Sequence, residues 1–276
     1  MIDACSSFSR FTAAITDRND AVPFLRWVEE WRQAFGRGVV VGLLDTHFDK
    51  QISDLAGADL IARNFVDCEN GIPPETTEHG THSVATLVGQ GLYQIRGIAP
   101  KARLLVAHVV GQEGIAKPQA VVEAIDWLIS SGAQIVALPL GESVERAEIA
   151  RQIEQGSEFG VVFFAAAGNS YPELLAFPAR HPLAIAVGAT DFLGNLLPEC
   201  SRLPRLDIVA PGWKSAAPIR GRIIRRRRGS SVACVVAAGV AALALSAGAI
   251  SPKELCRTSV LAVLRMDLER NKVRYS

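Results

Sequence analysis

Four polar residues stand where long apolar stretches begin or end. Asp45 closes "VVVGLLD", His79 opens "HGTHSVATLVG", Asn169 closes "VVFFAAAGN", and Ser231 opens "SVACVVAAGVAALALS". A carboxylate straight after five or six apolar residues suits a strand end better than a core. Each residue alone has a plain explanation, because Asp and Asn are common in turns and caps. As a set they supply what a nucleophilic serine needs: a base, a carboxylate to orient that base, and donors for a developing oxyanion. Ser231 follows Gly229-Ser230 at a helix start, so its backbone N–H would be a second donor beside the Asn169 amide, reinforced by the helix dipole.

Metal chemistry fits these residues less well. His79 and His82 are spaced i, i+3 with no Glu between them, whereas zinc helices use i, i+4 around a Glu. One histidine serving as general base is the better use, which leaves the other a structural role. Cys5, Cys68, Cys200, Cys234 and Cys256 are scattered, with no CxxC pair to suggest a metal site or disulfide framework. No metal and no cofactor are expected.

The elements that must hold these groups are short, continuous apolar runs alternating with helical patterns. The runs lie at 39–44, 103–110, 134–140, 161–167 and 184–189, and such runs suit parallel strands covered on both faces. Helical patterns fill 79–90, 118–131 and 144–159, and a further apolar helix spans 231–246. This alternation predicts an α/β fold, a mostly parallel central sheet with helices on both faces. Function in such sheets collects at the carboxyl ends of the strands. Residues 1–36 read as a lead-in with a short helix over 23–35 carrying Trp27 and Trp31, and 37–276 as one domain.

Bulk properties agree with a globular protein. The 276 residues are 49% apolar and 21% charged, enough for a sizeable core. A formal net charge of +1 builds in no general attraction to nucleic acid or anionic membrane, and neither is expected as a partner. The N-terminal "MIDACSSFSRF" has no apolar run of signal-peptide length. The most apolar segment, 232–250, is rich in Ala and Gly, as a buried helix would be. A cytoplasmic, reduced protein is expected.

With these residues in place, the chain resembles the subtilisin-like serine peptidases. The resemblance spans roughly 38–246 and rests on "VGLLDTHFD", "HGTHSVATLVG", "GIAPKARLLVAHVVG", "AIDWLISSGAQIVALPLG", "VVFFAAAGNS", "FPARHPLAIAVGAT", "LDIVAPG" and "GSSVACVVAAGVAALALS". Asp…His…Ser in that order belongs to the same family pattern. The resemblance implies Asp45, His79 and Ser231 as a catalytic triad and Asn169 as an oxyanion donor, a contact worth about 3–4 kcal/mol in this class. It further implies a peptide or protein substrate bound between Gly114–Ile115 and Pro139, Leu140 and Gly141. Ala166, Ala167 and Gly168 would line the specificity pocket.

Several positions depart from the family pattern. His47 stands where Gly is usual, Ser230 where Thr is usual, and Val235-Val236 where Pro-His is common. Pro139 removes a backbone donor from the substrate edge, and Glu142 brings a charge near the pocket. The loop that binds calcium in many secreted relatives is short and lacks carboxylates in "VGQGLYQIRGIAP". Arg220, Arg222 and the run Arg225, Arg226, Arg227 and Arg228 lead into the nucleophile turn. That run reads either as a solvated loop or as recognition of acidic residues near the cut. The resemblance implies a selective processing endopeptidase, such as one removing a leader peptide. The alternatives are a transpeptidase or macrocyclase using the same acyl-enzyme, and a catalytically silent peptide-binding scaffold.

Overall fold

Apolar runs without alternation must be covered on both faces, and the computed structural model shows them as the strands of one parallel sheet. It describes residues 2–3, 29–66, 77–92, 95–111, 113–191, 193–213, 215–219 and 223–265. The elements are β1 (Ile2–Asp3), α1 (Glu29–Arg32), β2 (Val40–Asp45), β3 (Leu60–Asn64), α2 (Glu78–Val88), β4 (Ile95–Arg96) and β5 (Arg103–His108). Next come α3 (Pro118–Ser130), β6 (Ile135–Leu138), α4 (Ala147–Glu158), β7 (Val162–Ala166) and β8 (Ala184–Thr190). The chain continues through β9 (Ile208–Pro211), β10 (Ser215–Ile219), β11 (Ile223–Arg227), α5 (Ser230–Ser246) and α6 (Arg257–Arg265).

The main sheet has seven parallel strands in the order β3-β5-β2-β6-β7-β8-β9. Helices α3 and α4 pack on each other, with Leu128 over Gly42 of β2 and Gly156 over Phe163 of β7. Helix α5 lies across β6, β7, β8 and β9 and also contacts α2. Its residues from Val232 to Leu245 are all buried, which is why it is apolar all round. Antiparallel β10 and β11 form a separate hairpin, and β10 packs on α2.

The structure adds strands that periodicity missed. β3 sits at the sheet edge with Ile61 exposed, so its sequence "LIARN" carries no apolar run. β9 is only four residues long, and the β10–β11 hairpin carries part of the arginine run. Helix α4 starts at Ala147 rather than 144, because the preceding residues belong to a turn in which Glu142 bridges Phe177. Trp31 packs on the core, while Trp27 lies outside the described residues.

Candidate active site

Asp45 is the last residue of β2, 2% exposed and level with His108 of β5. His79 comes to it because α2 starts directly against the end of β2. The first-turn N–H groups of a helix have no partner within it. Thr46 supplies one from outside, its Oγ1 accepting the Gly80 N–H at 2.8 Å. Thr81 Oγ1 accepts the Asp49 N–H, also at 2.8 Å, lacing the loop to the helix. Gly80 is required by this approach, since a Cβ there would lie 2.4 Å from the Thr46 carbonyl oxygen.

The result is a 2.6 Å hydrogen bond between His79 Nδ1 and Asp45 Oδ1, which also accepts the Thr46 N–H at 2.6 Å. An ionised carboxylate only accepts, so Nδ1 carries the proton and Nε2 is left as the basic nitrogen. Burial pushes the Asp45 carboxyl up, but the facing imidazole together with hydrogen bonds from Ser83 and the Thr46 N–H outweighs it and holds Asp45 below the ordinary carboxylate value. The Asp45 charge raises His79 above 6.5 against the opposing effects of burial and the Arg227 guanidinium. His82, three residues on, is buried and takes no part in this pair.

His47, where the resemblance leads one to expect glycine, is accommodated by stacking. Its ring lies 4.2 Å from that of His108, nearly parallel, with Phe48 on a further side of His108 at 5.5 Å. His108 Nδ1 donates to the Thr46 carbonyl at 3.1 Å. Burial, with the neighbouring His47, pushes His108 down to about 4, and burial lowers His47 too. Two neutral imidazoles therefore back the segment that presents Asp45.

The serine side is built from β7 and α5. Asn169 follows β7, and its Oδ1 accepts the Ser230 N–H at 2.9 Å. Because a backbone N–H can only donate, the amide orientation is fixed and Nδ2 remains a donor. Ser230 Oγ accepts the Gly168 N–H at 3.0 Å, a second tie between the same two segments. Gly229 has φ 121°, and a Cβ there would meet Asn169 Oδ1 at 3.0 Å, so neither its backbone nor its surroundings admit a side chain. Ser231 is the second residue of α5, where backbone N–H groups lack helical partners. Its hydroxyl makes no hydrogen bond among the described residues, and so the expected contact with His79 is not formed here. Such contacts commonly tighten only in the substrate complex.

Ser231 and Asn169 line a cavity of about 440 Å³ together with Pro139, Leu140 and Gly141. Ala166 and Gly168 also line it, whereas Ala167, buried just past the end of β7, does not. The Ala167 N–H donates to Val187 and its carbonyl accepts from Ala176, which turns it away from the cavity. Gly114 and Ile115 lie outside this cavity in a tight turn, with Gly111 N–H donating to the Ile115 carbonyl and Ile115 exposed. Sequence reasoning missed Glu173, Ala176, Arg180 and Ser201, which also line the cavity.

Residues 36–268 match the subtilase family. The chain belongs to that family. It is 31% identical to Thermitase of Thermoactinomyces vulgaris over 80% of this chain and 79% of that protein. It is also 31% identical to M-protease of Shouchella clausii over 75% of this chain, although it spans only 54% of that relative's length. Among solved structures, the Patellamide maturation protease PatA aligns with a TM-score of 0.67 and 26% identity, over 76% of this chain and 79% of that one. The subtilisin-like α/β fold and the serine-type endopeptidase class follow from this membership.

No group of three His, Cys, Asp or Glu side chains that could hold an ion occurs among the described residues. Asp54 Oδ2 accepts the Ile95 N–H at 3.0 Å, and the Gln90 amide donates to the Val88 and Pro100 carbonyls. These bonds use the Asp54 carboxylate and the Gln90 amide to hold the described part of the 88–100 loop. In the arginine run, Arg227 lies 3.6 Å from Glu78, and Arg228 pairs with Glu199 while covering the Trp213 ring at 4.2 Å. Arg220 and Arg222 lie outside the described residues.

Proposed function

We propose that Asp45, His79 and Ser231 form the catalytic triad of this subtilase, with Asn169 as oxyanion donor. The observation carrying this reading is the 2.6 Å Asp45–His79 bond, which leaves Nε2 basic on a helix packed against the one that carries Ser231. Ser231 Oγ attacks the scissile carbonyl carbon while His79 Nε2 takes its proton. The oxyanion is met by Asn169 Nδ2 and the Ser231 N–H. Collapse expels the amine, which receives the proton back from His79, and water then releases the acyl group by the same route.

The finer proposal is selective processing of peptide precursors inside the cell. Its support is the likeness to PatA, a protein described as a maturation protease. Cys200, Cys234 and Cys256 are free thiols, as a reducing compartment favours. Arg227 of β11 lies beside Glu78 of α2, and acidic residues on the leaving side of the cut would suit this arginine run. Because Arg227 and Arg228 already answer Glu78 and Glu199, an acidic substrate must displace existing pairs, which limits the preference. A peptide library read by mass spectrometry tests the reading: wild type should give products carrying one added water, and Ser231→Ala none. Cyclic products lacking that water would favour transpeptidation. Equal cleavage by Ser231→Ala would refute the triad.

A further inference from the structure

Three charged side chains line the cavity beside Ser231: Glu142, Glu173 and Arg180. One is neutralised and one is tied to the backbone. Glu142 is held by Arg146, whose Nε donates at 3.1 Å and Nη2 at 3.0 Å, making a neutral pair. Arg180 spends Nη1 on the Leu175 carbonyl at 3.0 Å and Nη2 on the Ser143 carbonyl at 2.6 Å, which keeps its charge but ties the guanidinium into the wall, with those donors turned to the backbone. The Glu173 carboxylate makes no ion pair and no side-chain hydrogen bond among the described residues.

The backbone holding Glu173 is fixed rather than loose. Its N–H donates to Ser170 at 2.9 Å, and on either side Tyr171 donates to Glu199 at 3.0 Å and Leu175 to Leu203 at 2.7 Å. The cavity that Glu173 shares with Ser231 also takes apolar or small lining from Ala166, Gly168, Leu174 and Ala176, beside the hydroxyl-bearing Ser170 and Ser201. A side chain occupying this cavity finds both a surface suited to methylenes and an unpaired negative charge. Lysine and arginine have that make-up, an apolar stem ending in a cation.

We propose that this cavity accepts a lysine or arginine as the residue immediately before the cut, with Glu173 as the specificity-determining residue. The inference rests on the peptidase reading above. Glu173 is exposed, so the selection is moderate and sensitive to salt.

The test uses four fluorogenic peptides differing only in the residue before the cut: Lys, Arg, Leu or Glu. Specificity constants are measured for wild type, Glu173→Gln and Glu173→Lys, with fluorophosphonate labelling of Ser231 as a separate readout of competent enzyme. Wild type should prefer Lys and Arg over Leu, and Leu over Glu. Glu173→Gln should lower the Lys-to-Leu ratio about 2–5-fold, in line with loss of an exposed ion pair. Glu173→Lys should invert the order between Lys and Glu. A labelled enzyme whose Lys-to-Leu ratio is the same in wild type and Glu173→Gln overturns the inference and leaves the peptidase reading standing. Preference for the Glu peptide in wild type also overturns it and gives the cavity to Arg180. Absence of labelling and of all cleavage removes both readings together.

Discussion

The two halves of the site are built differently. The Asp45–His79 half is closed: the carboxylate sits at a buried strand end, the imidazole on an adjoining helix, and Thr46, Thr81 and Gly80 lock strand loop to helix. The Ser231–Asn169 half is open: Asn169 is fixed by Ser230, but the Ser231 hydroxyl faces a cavity of about 440 Å³ without a partner. Fixed donors and a fixed base next to free volume are what differential binding of a transition state requires. On the proposed triad, the closed half would set reactivity and the open half which substrate is cut.

Breaking the closed half should have the largest effect. Asp45→Asn leaves the packing but removes the charge that orients His79, and kcat should fall about 10⁴-fold. A fall of less than tenfold would show that Asp45 is a turn residue only. Breaking the open half should cost less. Asn169→Ala removes one oxyanion donor while Ser230 and Ser231 remain, so kcat should fall about 10²–10³-fold with KM little changed. A change confined to KM would make Asn169 a positioning residue for substrate.

The closed half also has a stability signature. His108 binds its proton less tightly folded, near pH 4, than unfolded, near 6.5, so protons favour the unfolded chain between those values. Its contribution is full above pH 6.5 and is lost progressively as pH falls toward 4, by roughly 3 kcal/mol. Denaturant unfolding across this range should show that loss in wild type and a shallower one in His108→Gln. Identical slopes would remove His108 from the account.

A smaller effect joins the two regions through the arginine run. With His79 as the proposed general base, kcat/KM should rise with pH through a midpoint above 6.5, as the Asp45 charge dictates. Arg227 opposes protonation of His79, and Arg227→Gln should move that midpoint upward. A downward shift would contradict the electrostatic placement of this arginine.

How legible these features were in the sequence follows the same division. Asp45, His79, Asn169 and Ser231 could be read because each stands next to a long apolar run, and those runs also announced the parallel sheet. The Thr46 bond to Gly80 and the His47–His108 stack could not, because they join residues distant in sequence that no local pattern links. Glu173 and Arg180 escaped notice for a related reason. They reach the cavity from the segment between β7 and β8, where chain direction alone does not say what faces inward. Strand β3 was hidden by its exposed edge position, which permits the charged "LIARN".

The most direct measurement is peptide mapping of the adduct formed by a fluorophosphonate probe. The account predicts one adduct on Ser231 in wild type, abolished by Ser231→Ala and strongly slowed by His79→Ala. Labelling at another residue, or undiminished labelling of Ser231 in folded His79→Ala protein, would contradict it.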